Sequence, residues 1–518
     1  MLDALILSGD LLTLRVENIS HFFMSMKFNF IILLSALCMS TGASAVEIEA
    51  GGLRAAVTDT SVESLTVTGT MNAADFDFIA SEMNALTSID LSGVTIVDYS
   101  GEPVLMGQQV YSGNEIPAYA FMGMKLTSAV LPASLQSIGE SAFASTSIAS
   151  IVIPEKVATI GMGAFSNCDA LERVVLPASV AEIGSHAWAD CDNLTAVELG
   201  GVTKIAESTF ARCGKLASVM LPATLTEIGD AAFSGCAGLT SLSFPASLVV
   251  IGNNAFEYSG LAEADLSLCG SLAGIGDWAF AHCENLAAVY FGESVVSMGE
   301  GAFFDDKSLV DLAVPMNITE IPAYMLKGTN SIDSSAAIHD DIESIGDYAL
   351  MGWNHVAEMK VPAAVTYIGS NAMEGWTSLT MLDGSSLSEV PELGADVWSG
   401  VAQSEATLSV DGSLVESFKT TPQWKEFNVT AVSLADDAID DATSDIYAYF
   451  NGYDLMIKAA DEIAEVSLYD IQGRKLAYIE PAHNEAVIDT HGMTGRFFIV
   501  RPVLGSGLTA TLKVVRGM

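Results

Sequence analysis

The sequence predicts a mainly β repeat solenoid of about 13 coils, each 22–24 residues long, followed by a small C-terminal β-sandwich. The phrase Ile-Gly-x-x-Ala-Phe, as in Ile228 to Phe233, recurs from Ile116 to Ile368 at intervals of 22 to 24 residues. Such a period is typical of a solenoid, because one repeat buries its apolar face only by stacking on its neighbours. Beyond residue 446 the period is lost, and short stretches of alternating apolar residues replace it.

The composition excludes several classes of partner. The 518 residues include 64 acidic and 21 basic side chains, which gives a formal net charge of −43. Because such a surface repels nucleic acid and anionic lipid, we expect no nucleic-acid partner. Hydrophobic residues make up 50% of the chain, but only the N-terminal stretch is continuously apolar. The mature chain is therefore predicted to have no transmembrane span.

Residues 1–45 are predicted to be a leader and signal peptide. Met26-Lys27 supplies a short positive region, Phe28 to Leu37 an apolar region, and Ala43 to Ala45 a small-residue cleavage site. These are the three parts of a secretory signal. Because the residues before Met26 carry acidic side chains, which suit a signal poorly, we place the true start of translation at Met26.

Residues 46–110 are predicted to form an N-terminal cap and the first repeat. Leu65 to Gly69 alternates like a strand, and Ala73 to Met83 has the spacing of an amphipathic helix with Asn72 as its N-cap. Leu86 to Leu91 is the first recognisable repeat strand. A cap is required because an uncovered end would expose the core of the solenoid.

Residues 111–432 are predicted to form the solenoid and its C-terminal cap. The consensus is Leu-x-x-Val-x-Leu-Pro-x-x-Leu-x-x-Ile-Gly-x-x-Ala-Phe-x-x-Cys. Leu216 to Leu221 alternates like a short strand, and Pro222 ends it because proline cannot donate to a ladder. We expect Gly229 to permit a tight turn and Ala232-Phe233 to fill the core.

Residues 433–445 are predicted to be an acidic linker, and residues 446–518 a small β-sandwich. The linker contains no aromatic residue. After it, short alternating stretches are separated by turn signals, a pattern typical of a sandwich. The predicted strands are 455–457, 466–469, 486–488, 497–500 and 512–515.

The repeat resembles the BspA-like leucine-rich repeats found mainly on bacterial and some protist surfaces. The Ile-Gly-x-x-Ala-Phe and Leu-Pro elements carry this resemblance over roughly residues 46–430. The resemblance implies a leucine-rich repeat solenoid and a role in adhesion. Pro117, Ala206 and Pro322 replace glycine in three coils, and we expect them to distort those coils without breaking the stack.

The C-terminal segment resembles the sorting domain of type IX secretion substrates in Bacteroidetes. The residues that carry this second resemblance are Tyr469, Asp470, Gly473, Arg474, Gly495 and Lys513. The resemblance implies that residues 446–518 address the chain to a secretion machinery. The alternative is a plain terminal sandwich without a sorting role.

Five cysteines fall three residues after the aromatic residue of their repeat. They are Cys168, Cys191, Cys213, Cys236 and Cys283. Because equal repeat positions stack, we expect these side chains to form one column, here called the thiol column. The absence of C-x-x-C spacing argues against zinc. Neighbouring coils bring the thiols near disulfide distance, but a buried ladder of small apolar side chains is the favoured interpretation.

The sequence predicts no enzyme, cofactor or metal site. It contains no H-E-x-x-H, G-x-S-x-G or P-loop motif, and its histidines are scattered. Acidic pairs such as Asp305-Asp306 and Asp340-Asp341 offer oxygen atoms, but they lack the alternating ligand spacing of a calcium loop. We therefore predict that these pairs are solvated turns.

The candidate ligand-binding residues are outward-facing residues of the repeat strands. They are Arg173, Glu198, Met220, Glu263, Asp265, Tyr290, Asp311, Glu358 and Lys360. We expect this face to be neutral at one end and acidic from Glu263 onward. Met220 and Tyr290 are its exposed apolar candidates.

Together these patterns predict a non-catalytic protein that is secreted or displayed on the outer cell surface. Its solenoid is predicted to bind proteins or glycans of a host or of neighbouring cells. A structural surface spacer without a specific ligand is the alternative. An enzyme with a site in the C-terminal domain is the least favoured hypothesis.

Overall fold

The computed structural model describes residues 44–329 and 337–431, together with most of the C-terminal region. The described C-terminal residues are 446–451, 454–469, 474–481, 483–491, 493, 497–505 and 512–515. The predicted signal peptide up to residue 43 and the predicted linker at 433–445 lie outside the described residues. The chain divides into two compact units, Met1–Thr430 and Ala431–Met518.

The first unit is a β-solenoid, which confirms the predicted fold class. One set of strands, here the first-column strands, pairs in parallel from coil to coil, so that Val174 faces Val197 and Val197 faces Val219. These strands are Ser44–Ile48, Ser64–Met71, Ser88–Ile96, Ser128–Val130, Arg173–Val175, Ala196–Glu198, Ser218–Met220, Glu263–Leu266, Ala288–Phe291, Asp311–Leu312, Glu358–Lys360, Met381–Gly384, Thr407–Val410 and Asn428–Ala431.

A second column of two-residue strands passes through the isoleucine of the repeated phrase. The described residues contain thirteen such second-column strands, which agrees with the predicted number of coils. With the two caps the solenoid makes about 17 turns. The second-column strands are Glu115–Ile116, Ser137–Ile138, Thr159–Ile160, Glu182–Ile183, Lys204–Ile205, Glu227–Ile228, Val250–Ile251, Gly274–Ile275, Ser297–Met298, Glu320–Ile321, Ser344–Ile345, Tyr367–Ile368 and Glu392–Leu393.

The glycine of the repeated phrase is required by the close approach of the preceding coil. A Cβ atom on Gly229 would lie 2.7 Å from Ile205 O, and one on Gly184 would lie 2.4 Å from Met162 N. The expectation that Gly229 permits a tight turn therefore gives the wrong reason for this glycine, which is needed because the preceding coil leaves no space for a Cβ atom. The left-handed backbone occurs two residues later, at Ala231, where φ is 51°.

The two interruptions of the second-column sheets coincide with replaced glycines. The ladder stops between Ile183 and Lys204, beside Ala206, and again between Met298 and Glu320, beside Pro322. Proline has no N–H to donate, and the alanine Cβ needs space that the close approach does not leave. The stack continues past the first interruption, because Trp188 still stacks on the ring of the next coil at 5.5 Å.

An aromatic column fills the centre of the first unit. Nine buried rings stack with neighbouring centroids 5.0–5.8 Å apart and planes within 24° of parallel. This spacing follows from the distance of about 4.8 Å between hydrogen-bonded strands. The rings belong to Phe121, Phe143, Phe165, Trp188, Phe210, Phe233, Phe256, Phe280 and Phe303.

The N-terminal end is covered by helices and a hairpin. The helices are Leu53–Ala56 and Ala73–Glu82, and the antiparallel hairpin joins Tyr99–Val104 to Gln108–Tyr111. As predicted, Asn72 caps the longer helix, with its side chain accepting from Ala74 N at 3.0 Å.

The first strand of the cap begins before the predicted cleavage point. Ser44 pairs with Leu65 and Ala45 pairs with Thr66. Cleavage after Ala45 would therefore remove two paired residues and leave Val46 to Ile48 in the strand.

Bulky aromatic side chains close the C-terminal end of the solenoid. Its helical segments are Gln403–Glu405, Val415–Thr420 and Trp424–Glu426. Trp424 is fully buried, donates from Nε1 to Pro391 O at 3.0 Å, and packs at a tilt against Trp398 with ring centroids 5.3 Å apart. These rings cover the last coil.

The second unit consists of antiparallel strands. Its described strands are Tyr447–Asn451, Asp454–Tyr469, Lys475–Ile479, His483–Asp489, Phe497–Leu504 and Leu512–Val515. The long strand Asp454–Tyr469 pairs with four of the others. All five predicted strands lie inside observed ones, while their packing as a sandwich stays a prediction.

Removing a ring from the aromatic column should destabilise the solenoid strongly. Phe233→Ala is expected to lower the free energy of unfolding by about 3–5 kcal/mol, because it leaves a cavity between two stacked rings. Urea unfolding followed by circular dichroism measures the loss. Met220→Ala, at a half-exposed position, is the control and should cost less than about 1 kcal/mol. Equal losses in the two variants would contradict the role of the column.

Candidate functional site

The predicted ligand-binding residues lie on three separate first-column sheets. Residues 330–336, which are not described, fall between the second sheet and the third. The three groups are Arg173, Glu198 and Met220; Glu263, Asp265, Tyr290 and Asp311; and Glu358 and Lys360.

In the first group the two charged residues neutralise each other. Arg173 and Glu198 form an ion pair across neighbouring strands, with about a quarter of each side chain exposed. Met220 lies directly opposite Glu198 on the next strand and is 50% exposed. The most exposed member of this group is therefore the apolar Met220.

Three exposed valines extend this apolar surface, two of them in coils that contain none of the predicted binding residues. Val130, Val152, Val175 and Met220 are 47%, 53%, 36% and 50% exposed, and we call them the apolar row. Each stands two residues before the proline of its repeat. That shared position is the signal that could have identified Val130 and Val152 in the sequence.

The second group is acidic, as expected. Tyr290 Oη donates to Asp311 Oδ2 at 3.0 Å, and this hydrogen bond raises the pKa of Tyr290. Asp265 Oδ1 accepts from the Ser267 hydroxyl at 2.6 Å, which lowers the pKa of Asp265. Asp265, Tyr290 and Asp311 line an open depression of about 850 Å³ together with Met316.

The third group is also partly paired within the chain. Lys360 Nζ lies 2.6 Å from Asp340 Oδ2, and both side chains remain about half exposed. Glu358 is exposed on the same strand. The surface charge of Lys360 is therefore already compensated by a neighbouring coil.

The thiol column exists, and its residues serve as hydrogen-bond donors. In each of the five coils Sγ lies 3.1–3.2 Å from the carbonyl oxygen of the aromatic residue one coil earlier. All six cysteines in the described part of the chain are free and buried. Burial raises the pKa of the Cys168, Cys236 and Cys283 thiols, so these groups are poor nucleophiles.

Tryptophan supplies the same hydrogen bond in two later coils. Trp353 Nε1 donates to Leu326 O at 3.1 Å, and Trp376 Nε1 donates to Leu350 O at 2.9 Å. Both tryptophans occupy the repeat position of the cysteines. The position therefore selects for a buried donor and not for thiol chemistry.

Asp306 occupies this donor position in one coil and is fully buried. The prediction that Asp305-Asp306 is a solvated turn is therefore wrong for Asp306. Its Oδ1 accepts from Cys283 N at 2.7 Å, while Oδ2 has no hydrogen-bond partner among the described residues. Burial raises the pKa of Asp306 well above its usual range. A proton on Asp306 would restore the donor that thiols provide elsewhere.

The sorting residues are described only in part. Asp470, Gly473 and Gly495 lie outside the described residues. Tyr469 ends the long strand, and the Arg501 guanidinium lies 5.4 Å from its ring. Arg474 is exposed, and Lys513 belongs to the last strand.

No helix in the described ranges has the length and apolar character needed to cross a membrane. The same ranges contain no group of three or more His, Cys, Asp and Glu side chains that could hold a metal ion.

Comparison with known proteins gives one family match and several similar folds. Residues 114–237, 203–333 and 331–403 match the family model described as the BspA type leucine rich repeat region, in 6 copies. No curated protein matches the chain.

Three solved structures illustrate the similarity. A leucine-rich repeat protein from Bacteroides ovatus is 22% identical, covering 75% of this chain and 91% of that chain, with a TM-score of 0.56. A leucine rich cell surface protein from Faecalibacterium prausnitzii is 26% identical over 54% of this chain and 86% of its own, with a TM-score of 0.31. The pneumococcal vaccine antigen PcpA is 14% identical over 71% and 78%, with a TM-score of 0.27.

Replacing Asp306 with asparagine should stabilise the solenoid at neutral pH. Because the folded state raises the pKa of this carboxyl, its contribution to stability is present below the pKa of the unfolded chain and is lost as the pH rises. Asparagine stays neutral and keeps a donor. Asp306→Asn should therefore raise the free energy of unfolding at pH 7 by about 1–3 kcal/mol, with a smaller gain near pH 4.

Urea unfolding at the two pH values measures this difference. Asp305→Asn is the matched control, because Asp305 is partly exposed and pairs with Lys307 at 3.1 Å. The control should change stability by less than about 1 kcal/mol. A loss of stability in Asp306→Asn at pH 7 would show that the buried carboxylate is favourable.

Proposed function

The chain belongs to the BspA-type leucine-rich repeat family, and from this premise we propose that it is a non-catalytic recognition protein of the cell surface. Its first-column face binds a protein ligand of a host or of a neighbouring cell. The repeated residues hold the coils together, while the outward residues, which differ from coil to coil, select the ligand.

The apolar row is the observation that carries this proposal. Val152 and Met220 each expose about half of their surface, although burial of such side chains is favourable by about 25 cal/mol per Å². Exposed apolar side chains combined with polar groups are typical of protein interaction sites. Here the polar group is the Arg173–Glu198 pair, in which Glu198 stands between Val175 and Met220.

The acidic group adds a second element to the same face. Asp265 and Asp311 lie beside Tyr290 in the open depression, and aromatic residues are enriched in binding hot spots. We infer that the apolar row provides affinity and the acidic group provides orientation toward a basic part of the ligand. A structural spacer would need neither feature.

Export completes the proposed function. The signal peptide predicted at residues 26–45 would start secretion, and residues 446–518 would direct the chain to the outer surface through a type IX-like machinery. In support of a separate role for the second unit, the chain divides at Ala431 into compact parts.

Charged substitutions in the apolar row should abolish ligand capture. The full mature chain is immobilised on beads and tested against purified extracellular-matrix proteins and mucin glycopeptides. We expect saturable protein capture, which Val152→Lys with Met220→Lys weakens at least tenfold by burying unpaired charge. Val296→Lys is the control, because Val296 is 59% exposed outside the row.

The other outcomes separate the alternatives. No saturable binding to any probe would favour the structural spacer. Binding that is unchanged by the substitutions in the apolar row, but is lost on charge reversal at Asp265, Asp311 and Glu358, would assign the site to the acidic part of the face. Capture of mucin glycopeptides alone would replace the protein ligand with a glycan.

Deleting residues 446–518 should remove the protein from the cell surface. If this unit is a sorting address, the truncated chain accumulates inside the cell envelope, since we expect the first unit, which has its own core, to fold without the second. Surface biotinylation with an antibody against the solenoid measures exposure. Undiminished exposure of the truncated chain would rule out the sorting role.

A further inference from the structure

A patch of aromatic rings lies outside the first-column face, in the turns that contain the repeated phrase. We call Trp278, Phe304, Tyr324 and Tyr348 the aromatic patch. Trp278 packs edge-on against Phe304 at 5.1 Å and lies 6.1 Å from Tyr324, which stacks on Tyr348 at 4.9 Å. All four side chains are partly exposed. These residues stand at variable positions of the repeat and escaped the sequence analysis.

A glycine allows rings from non-adjacent coils to meet. Trp278 and Tyr324 occupy the same repeat position two coils apart, and Gly301 stands at that position in the coil between them. A Cβ atom on Gly301 would lie 2.5 Å from Trp278 Cε3. The indole therefore occupies the space that a side chain at residue 301 would take.

The backbone at these positions is unfavourable for aromatic residues. Trp278, Tyr324 and Tyr348 have φ values of 56°, 58° and 59°, in the left-handed region that glycine and asparagine tolerate and bulky residues avoid. Asn254 and Asn371 stand at the same position in other coils with similar φ values. The same left-handed backbone recurs at this position in coils that carry Ser141, Ser208 or Ala231, so the backbone does not require the aromatic side chains of the patch.

Trp278 also differs from the other tryptophans of the chain. The sequence contains six tryptophans, and Trp188, Trp353, Trp376, Trp398 and Trp424 are all buried, with at most 3% of their surface exposed. Only Trp278 is partly exposed. An indole in water contributes little to folding, but it offers a broad face to a ligand.

The patch already holds one cation of its own chain. Lys327 Nζ lies 5.5, 5.3 and 5.1 Å from the ring centroids of Phe304, Tyr324 and Tyr348. These distances are within the range of cation–π attraction. The rings are therefore arranged so that their faces converge on a position suited to a positive charge.

Two acidic residues are direct neighbours of these aromatic residues. Trp278 N donates to Glu300 O at 2.8 Å, and Tyr324 N donates to Asp347 O at 2.9 Å. Burial, together with nearby ionisable groups, raises the pKa of Tyr324. Glu300 and Asp347 are exposed. Aromatic faces combined with carboxylates match a guanidinium group, which stacks and forms ion pairs at the same time.

We propose that the aromatic patch is a second binding site, separate from the first-column face, which takes an arginine-rich segment of a partner protein. Guanidinium groups stack on Trp278 and Tyr324 and pair with Glu300 and Asp347. The net charge of −43 attracts such a segment over a distance and disfavours anionic glycans. Arginine is preferred to lysine because its planar group can stack on the rings.

The test uses the full mature chain and a fluorescein-labelled hexa-arginine peptide. Fluorescence anisotropy at 0.15 M salt gives the affinity, and quenching of Trp278 fluorescence locates the peptide. Trp278→Asn with Tyr324→Asn should weaken binding at least tenfold, because two stacking surfaces are lost. Lys327→Gln should tighten it severalfold, because a competing cation is removed. Tyr119→Asn, at the same repeat position with φ 64° in another coil, should have no effect.

Two further probes distinguish the alternatives. Hexa-lysine carries the same charge but stacks poorly, so its binding should change less than threefold in the double variant. Equal losses for both peptides, or equal hexa-arginine binding by all variants, would show diffuse charge attraction and overturn the proposal. Binding of a neutral hexasaccharide that is lost in the double variant would assign the patch to glycans instead. Capture of the first-column ligand should be unchanged in the double variant, which keeps the two sites distinguishable.

Discussion

The in-register contact between successive coils is the constraint on which the rest of the structure depends. Hydrogen-bonded strands fix a spacing of about 4.8 Å. Every inward side chain must therefore pack, at about that distance, against the side chain at the same repeat position of the next coil. Flat rings meet this requirement by stacking, as Phe143 does on Phe165 with planes 1° apart. Glycine meets it where backbones approach, because a Cβ on Gly184 would lie 2.4 Å from the preceding coil. The residues of the repeated phrase are thus those that the close contacts between coils require.

The same constraint separates structural residues from recognition residues. At inward positions, buried backbone carbonyl groups also need hydrogen-bond donors. The thiol column supplies them, because each thiol donates to a carbonyl oxygen of the preceding coil. Outward positions have no such requirement, so they are free to vary. The apolar row, the acidic group and the aromatic patch all consist of residues that are at least partly exposed. We therefore propose that recognition depends on the residues that do not repeat.

Periodicity made the inward part of the molecule predictable from sequence. The number of coils and the column of Cys168 to Cys283 follow from spacing alone, because equal repeat positions must stack. The reason for the repeated glycine could not be predicted from the sequence, since the approach of Met162 to Gly184 is a contact between residues of different coils. Asp306 was misjudged because its neighbour Asp305 suggested a surface turn, whereas its repeat position is a buried donor site. The aromatic patch was missed because Trp278 and Tyr324 meet only through the gap at Gly301.

Hydrogen exchange of the mature chain, with and without its captured protein ligand, tests the central claim most directly. The account predicts slowed amide exchange in the first-column strands between Ser128 and Met220, next to the apolar row. It predicts no change in the second-column strands of the same coils, whose residues only hold the stack together. Protection confined to the second-column strands, or spread evenly over both columns, would contradict the assignment of recognition to the outward first-column residues.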